Sequence, residues 1–408
     1  MTTSLPKPRY LDRRSPPHLT TLVLIAGIAA LSLNVFLPSL PSMAKAFGVD
    51  YAVMQLSVSL YLASTAVLQI LIGPISDRMG RRPVMLWAVA LFTLASVGAV
   101  LAPNFGLFLT CRLAQAVIAT GFVLSRAVVR DMVPQDQAAS MIGYVTMGMS
   151  VVPMVGPVLG GALDEAFGWQ ASFAILAIAG AGLFVLLWFD MGETSVSRPT
   201  SLGAQIRQYP ALLTSQRFWG YCLAAGFASG AFFAYLGGAP YVATTFFHMD
   251  SATLGLHFGA PALGYMFGNF ISGRYSVRFG VNKMVLMGAI LATLGMSVLL
   301  LLEVLGLATP ILFFALMVPM GVGNGMLMPN ASAGMLSVRP SLAGSAAGLG
   351  GAFMIGGGAA LSALAGFILG PQTGATPLVG LMLVVSAAAI LSILWVIRRE
   401  RVVKASGG

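Results

Sequence analysis

Long uninterrupted apolar runs, each about the length of a bilayer-crossing helix, recur along the whole chain. They fall near 19–40, 52–74, 84–102, 106–127, 138–161, 170–189, 218–242, 254–273, 284–305, 310–331, 342–369 and 377–397. Crossing a hydrocarbon core takes ~20 helical residues. The runs are continuously apolar and do not alternate, so they predict helices and not the strands of a barrel. Twelve transmembrane helices are expected, the eleventh long enough to tilt or to kink at its glycines. The longest polar connection, 191–217, separates six runs from six. The expected order is a tail 1–18, a six-helix bundle 19–190, a linker 191–217, a second six-helix bundle 218–397 and a tail 398–408. The fold class is all-α integral membrane, in two pseudo-symmetric halves.

Composition agrees: 58% of the 408 residues are hydrophobic and 8% are charged. Charge layout adds orientation. Of the 22 Lys and Arg, all but Lys45 and Arg112 fall on one side of the predicted spans. They sit in seven short segments: Lys7–Arg14, Arg78–Arg82, Arg126–Arg130, Arg198–Arg217, Arg274–Lys283, Arg339, and Arg398–Lys404. The positive-inside rule then places both termini in the cytoplasm. That bias accounts for the net charge of +10, and charges so dispersed make a nucleic-acid partner unexpected. The first run has a basic flank, and Ala44-Lys45-Ala46 loosely imitates a cleavage site. At about 22 residues it is nonetheless too long for the 7–15-residue core of a secretory signal. Cys111 and Cys222 both lie within spans and form no disulfide framework.

Halves of this kind commonly descend from a duplicated unit. An offset of 200 residues pairs Arg78 with Arg278, Gly80 with Gly280 and Gly156 with Gly356. Glycine fills 48 positions, so the hydropathy symmetry is the stronger sign. Gly156 and Gly160 share one helical face, as do several of Gly344, Gly348, Gly350, Gly351 and Gly356–Gly358. Such spacing lets helices approach closely and slide, or simply pack tightly.

Arg112 is the one basic residue that must lie inside a span. A charge there costs at least ~2.5–3.5 kcal/mol on insertion scales and commonly marks a pathway or a binding site. No acidic residue is positioned to neutralise it. Counted at 1.5 Å per residue, Asn34 and Arg112 both lie ~10 Å below the outer surface. Tyr235 falls in the same layer and Tyr61 slightly deeper. These four, with Gln115 beside Arg112, are expected to line a central cavity. The alternatives are ordinary interior packing for the tyrosines and an interhelical hydrogen bond for Asn34.

The loop between the second and third spans reads Gly73-Pro74-Ile75-Ser76-Asp77-Arg78-Met79-Gly80-Arg81-Arg82-Pro83. It resembles the signature cytoplasmic loop of the major facilitator superfamily, which implies that superfamily's fold. The resemblance implies a conformational gate formed by Gly73, Asp77, Arg78, Gly80, Arg81 and Arg82. Asp77 would bond to the facing half near the start of span eleven, where a helix N-terminus favours an anion. The equivalent position of the second half is Val277, so the lock would be one-sided.

Span four carries Cys111-Arg112-Leu113-Ala114-Gln115-Ala116, and span five carries Gly148, Pro153, Gly156-Pro157 and Gly160-Gly161. With Leu37-Pro38-Ser39-Leu40-Pro41, these resemble the twelve-span drug:proton antiporters, and more narrowly the bicyclomycin and chloramphenicol resistance group. The resemblance implies a multidrug exporter of the bacterial inner membrane that works by alternating access, with Arg112 linked to proton transfer. Its partners would be drug molecules, protons and lipid. No cofactor is expected, the proton gradient supplying the energy, and the chain is expected to be a monomer.

One position departs from that group. Asn34 stands where many relatives have an acid, and an amide cannot titrate. The proton carrier is therefore open. Asp164, Glu165 and Glu303 read as solvated acids at outer helix ends, Asp131 as a partner of Arg130 or Arg126, and His257 as structural. The missing acid keeps a second reading alive, a facilitator or importer of an anionic or zwitterionic metabolite with Arg112 as its anion site. An enzyme is not expected. His18, His248 and His257 form no ligand set, no phosphate-binding loop opens a helix, and no channel filter is apparent.

Overall fold

The computed structural model describes residues 8–133, 155–195, 209–339 and 343–405, with 141, 145 and 152 between them. Every described element is helical. The first half contains α1 (Leu19–Asn34), α2 (Leu40–Phe47), α3 (Tyr51–Met79), α4 (Arg81–Val100), α5 (Phe105–Gln115), α6 (Thr120–Met132), α7 (155–167) and α8 (Gln170–Asp190). The second contains α9 (Tyr209–Leu213), α10 (Gln216–Thr245), α11 (Ser251–Phe258), α12 (Ala260–Phe279), α13 (Val281–Val304), α14 (Pro310–Ala315), α15 (Met317–Ser337), α16 (Ala343–Ile368) and α17 (Thr376–Ala405).

Ten helical stretches among the described residues are long and apolar enough to cross a membrane. The expected span 138–161 lies partly outside the described residues. The expected span 254–273 is divided at Gly259 between α11 and α12, and α12 carries Asn269, Ser272, Arg274, Ser276 and Arg278.

Local sequence explains the helix ends. Asn104 accepts from the Leu107 N–H at 2.9 Å and starts α5, and Ser215 and Thr309 cap α10 and α14 in the same way. Gly80 and Gly280 take nearly the same backbone conformation, φ 94° and ψ 152° against φ 82° and ψ 157°. Only glycine adopts it without strain, and it turns α3 into α4 and α12 into α13 alike.

Three further expected spans are interrupted. The run 19–40 leaves the α-helix after Asn34, passes through a 3-10 turn at Leu37–Ser39 and resumes as α2. Pro38 and Pro41 supply the reason, since neither has an N–H to continue the ladder. The run 106–127 passes through a 3-10 turn at Ala116–Ala119, and 310–331 breaks after α14 and runs on to Ser337. By contrast, 342–369 is one continuous helix, α16, without a break at its glycines.

Packing follows the two halves. In the first, α4 lies against α8 and α5, and α1 against α6 and α8. In the second, α15 lies against α12 and α13, and α10 against α16 and α17. Between the halves, α3 packs on α16, and α11 approaches the 3-10 turn at Leu37–Ser39. Large apolar side chains such as Trp87, Phe270 and Val384 remain on the outside, as lipid-facing helices require.

Candidate functional site

The bend in α1 creates the site around Arg112. The Arg112 side chain is fully buried. Its Nη1 donates to Gln115 Oε1 at 2.7 Å and to Ser32 Oγ at 3.3 Å, and its Nη2 donates to the Ser32 carbonyl at 3.0 Å. The guanidinium lies 4.0 Å from the centre of the Tyr61 ring and 4.3 Å from that of Phe36, a geometry that favours a cation. Nε has no hydrogen-bond partner.

The carbonyl at Ser32 is in the last turn of α1, where helical partners run out and the helix dipole is negative. A helix end thus takes the place of a carboxylate as the counter-charge. Around it runs a polar chain. Tyr61 Oη donates to Ser32 Oγ at 3.4 Å, Gln115 Nε2 donates to Ser96 Oγ at 2.7 Å, and Ser96 Oγ donates to the Phe92 carbonyl at 2.7 Å.

The structure therefore joins Arg112, Tyr61 and Gln115. Asn34 lies between Ser32 and Phe36, both of which touch Arg112, but its amide donates to the Ala30 carbonyl of its own helix at 2.7 Å. Tyr235 belongs to a different cluster, where it stacks on Phe258 at 4.8 Å and donates to the Phe258 carbonyl at 2.8 Å. Asp131, Asp164, Glu165, Glu303 and His257 are not partners of Arg112. Asp131 instead bonds to Arg81 Nε at 3.2 Å, and His257 Nδ1 is 2.8 Å from the Thr253 carbonyl.

The glycine-proline segment packs on the same bend. A Cβ at Gly156 would stand 3.3 Å from Asn34 Cβ, and one at Gly160 would overlap the Val35 carbonyl. Backbone meets backbone here because α7 has no side chain in the way. A Cβ at Gly161 would overlap the Ser251 carbonyl of the other half, and the Pro157 carbonyl faces Gly255 in α11. Gly148 and Pro153 lie outside the described residues.

At the α3–α4 turn, Asp77 pairs with Arg81 Nη2 at 2.6 Å, within its own loop. Its expected partner lies near the start of span eleven, where residues 340–342 are outside those described. Arg81 Nη1 also bonds to Ser76 Oγ. Arg78 is exposed, and Gly73 has open space beside it. Two acids absent from the sequence reading organise this end. Glu193 accepts from the Arg81 N–H at 2.9 Å and the Arg82 N–H at 3.2 Å, capping α4. Asp190, fully buried, accepts from the Leu11 N–H at 2.7 Å, the His18 N–H at 3.0 Å and Thr21 Oγ1 at 2.6 Å, fastening the N-terminal segment to α8. Arg82 Nη2 donates to the Trp188 carbonyl at 3.1 Å and its guanidinium lies over the Trp188 ring. The available signal was an acid placed directly after an apolar run.

Comparison with known proteins bears on the fold and the family. The sequence pattern of the Major Facilitator Superfamily matches residues 22–246 and 237–408. The Chloramphenicol resistance protein of Pseudomonas aeruginosa is 30% identical over 320 residues, which cover 78% of this chain and 76% of that one. Multidrug resistance protein D of Escherichia coli (strain K12) is 28% identical over 369 residues, covering 89% and 91%. Among solved structures, a peptide transporter POT aligns with a TM-score of 0.73 over 94% of both chains at 14% identity, a likeness of fold. The chain belongs to the Major Facilitator Superfamily.

Proposed function

We propose that this multi-pass membrane transporter is a multidrug exporter of the bacterial inner membrane, with both termini in the cytoplasm. It moves lipophilic drugs outward by alternating access of two six-helix halves, in exchange for protons. The observation that carries the reading is the Arg112 site. A guanidinium stays charged at all working pH, so Arg112 is not the proton carrier. Its part is electrostatic. Held by the end of α1 and by two rings, it makes the positions of α1, α3 and α5 depend on charge nearby. A cargo or proton that changes that charge shifts the balance between helix arrangements, as alternating access requires. The names of the relatives support drugs as the cargo.

One observation favours a second reading. Arg112 has a free Nε and no acid among its partners, which suits an anionic or zwitterionic metabolite. Both readings meet one experiment, the accumulation of neutral, cationic and anionic compounds in efflux-deficient bacteria expressing the protein, with and without a protonophore. Lower drug accumulation that the protonophore reverses supports proton-driven export. Unchanged or raised accumulation, given confirmed membrane expression, overturns it and supports the anion reading.

A further inference from the structure

Asp164 reads in the sequence as a solvated acid at the outer end of a span, and the structure gives it other work. Its two carboxylate oxygens each lie 3.1 Å from Ser42 Oγ, which donates from α2 in its own half. The same carboxylate accepts from Ser251 Oγ, the first residue of α11 in the other half, at 2.5 Å. A single half-buried side chain therefore joins the two halves at their outer ends.

Its surroundings show a closed seam. The backbones of α7 and α11 are at closest approach there, with Gly161 against Ser251 and Gly255 against Pro157. On the neighbouring seam, Tyr51 Oη donates to the Gly237 carbonyl at 2.6 Å, and Gln55 Nε2 donates to Ser362 Oγ at 2.7 Å. At the cytoplasmic end, the ion pairs Asp77–Arg81, Arg81–Asp131 and Arg217–Glu400 each stay within one half. Among these cross-seam links only Asp164 contributes a charged group, and hydrogen bonds to ionised acceptors are about twice as strong as neutral ones.

We infer that Asp164 is the outer latch of the transport cycle, a positioning residue that holds the outer side shut through Ser251 and releases it when the cavity opens outward. The inference rests on the alternating-access reading. Ser42 serves to aim the carboxylate, and Ser251 is the part that leaves.

The test measures the seam directly and does not depend on export. Spin labels at Lys45→Cys and Leu307→Cys, exposed outer positions in opposite halves, are introduced after Cys111 and Cys222 are replaced by serine. Their distance distribution is recorded by pulsed electron resonance in nanodiscs. Asp164→Ala is expected to raise the ratio of long to short distances roughly tenfold, the factor carried by one hydrogen bond to a charged group. Ser251→Ala is expected to do the same, and the double variant to go no further than either single one. Should Asp164→Ala fail to fold, Ser251→Ala and Asp164→Asn carry the test. Unchanged distances in the folded variants overturn the latch. Drug accumulation in the same strains separates the two ideas. A shifted distance without any export by the parent protein keeps the latch and removes the export reading, whereas export with unshifted distances removes the latch alone.

Discussion

Replacing Arg112 by methionine separates the stability of the site from its function. Methionine has nearly the length of the arginine stem and no charge, so the Arg112→Met protein relieves the buried cation. That charge costs at least ~2.5–3.5 kcal/mol on insertion scales. Against it stand three hydrogen bonds, to Gln115 Oε1, Ser32 Oγ and the Ser32 carbonyl, each worth ~0.6 kcal/mol on average between membrane helices. The ring contacts of Tyr61 and Phe36 add roughly 2 kcal/mol in a dry setting. The two sides nearly cancel. Arg112→Met is thus expected to unfold within ~2 kcal/mol of the parent, a difference read by thermal denaturation in detergent. Its drug export is expected to fall to the level of cells lacking the protein. Arg112→Lys keeps the charge but not the fork that reaches Gln115 and Ser32 together, so its export should lie between the two. Parental export by a stable Arg112→Met protein would refute the electrostatic role assigned to the site.

Further predictions follow from the glycines and from position 34. Gly80→Ala and Gly280→Ala both place a side chain at positive φ, but only the first also meets a neighbour, the Glu193 carboxylate. Gly80→Ala is therefore expected to lose more thermal stability than Gly280→Ala, and Glu193→Ala should narrow the gap between them. Gly160→Ala puts a methyl group into the Val35 carbonyl, forcing α7 off the bend in α1 at a cost of ~1–3 kcal/mol. Folded-protein yield by fluorescence size-exclusion chromatography would record that loss. Asn34→Asp places a carboxylate between Ser32 and Phe36, which both touch Arg112. It is expected to strengthen export of cationic drugs over neutral ones, measured as the ratio of their accumulation.

The helices were legible because a span must be apolar for its full length, and little else satisfies that pattern. The loop between α3 and α4 was legible for a similar reason, since Gly80 answers a specific backbone need and the charges beside it are conspicuous. The breaks were harder to see. Pro38 and Pro41 foretell the bend after Asn34, yet nothing comparable in the sequence marks the 3-10 turn at Ala116–Ala119. Arg112 was found by its charge, but its counter-charge was not, because a carbonyl at a helix end carries no side-chain signature. Asp164, Asp190 and Glu193 were missed or read as solvated acids for the opposite reason. Their residue type is ordinary at a helix end, and only the fold brings Ser251, the N-terminal segment and the start of α4 to them. Tyr235 shows the limit of counting depth along a helix. The count put it in the layer of Arg112, and the packing turned its hydroxyl to Phe258.

The central claim is that drug and proton move in opposite directions through a cycle that needs Arg112. It is tested most directly in everted membrane vesicles that hold a pH gradient, by following a fluorescent pH probe as drug is added. The account predicts that a neutral drug of the chloramphenicol kind and a lipophilic cation each collapse part of the gradient in vesicles with the parent protein, and not in those with Arg112→Met. A gradient left untouched by every drug that the parent protein exports would contradict it.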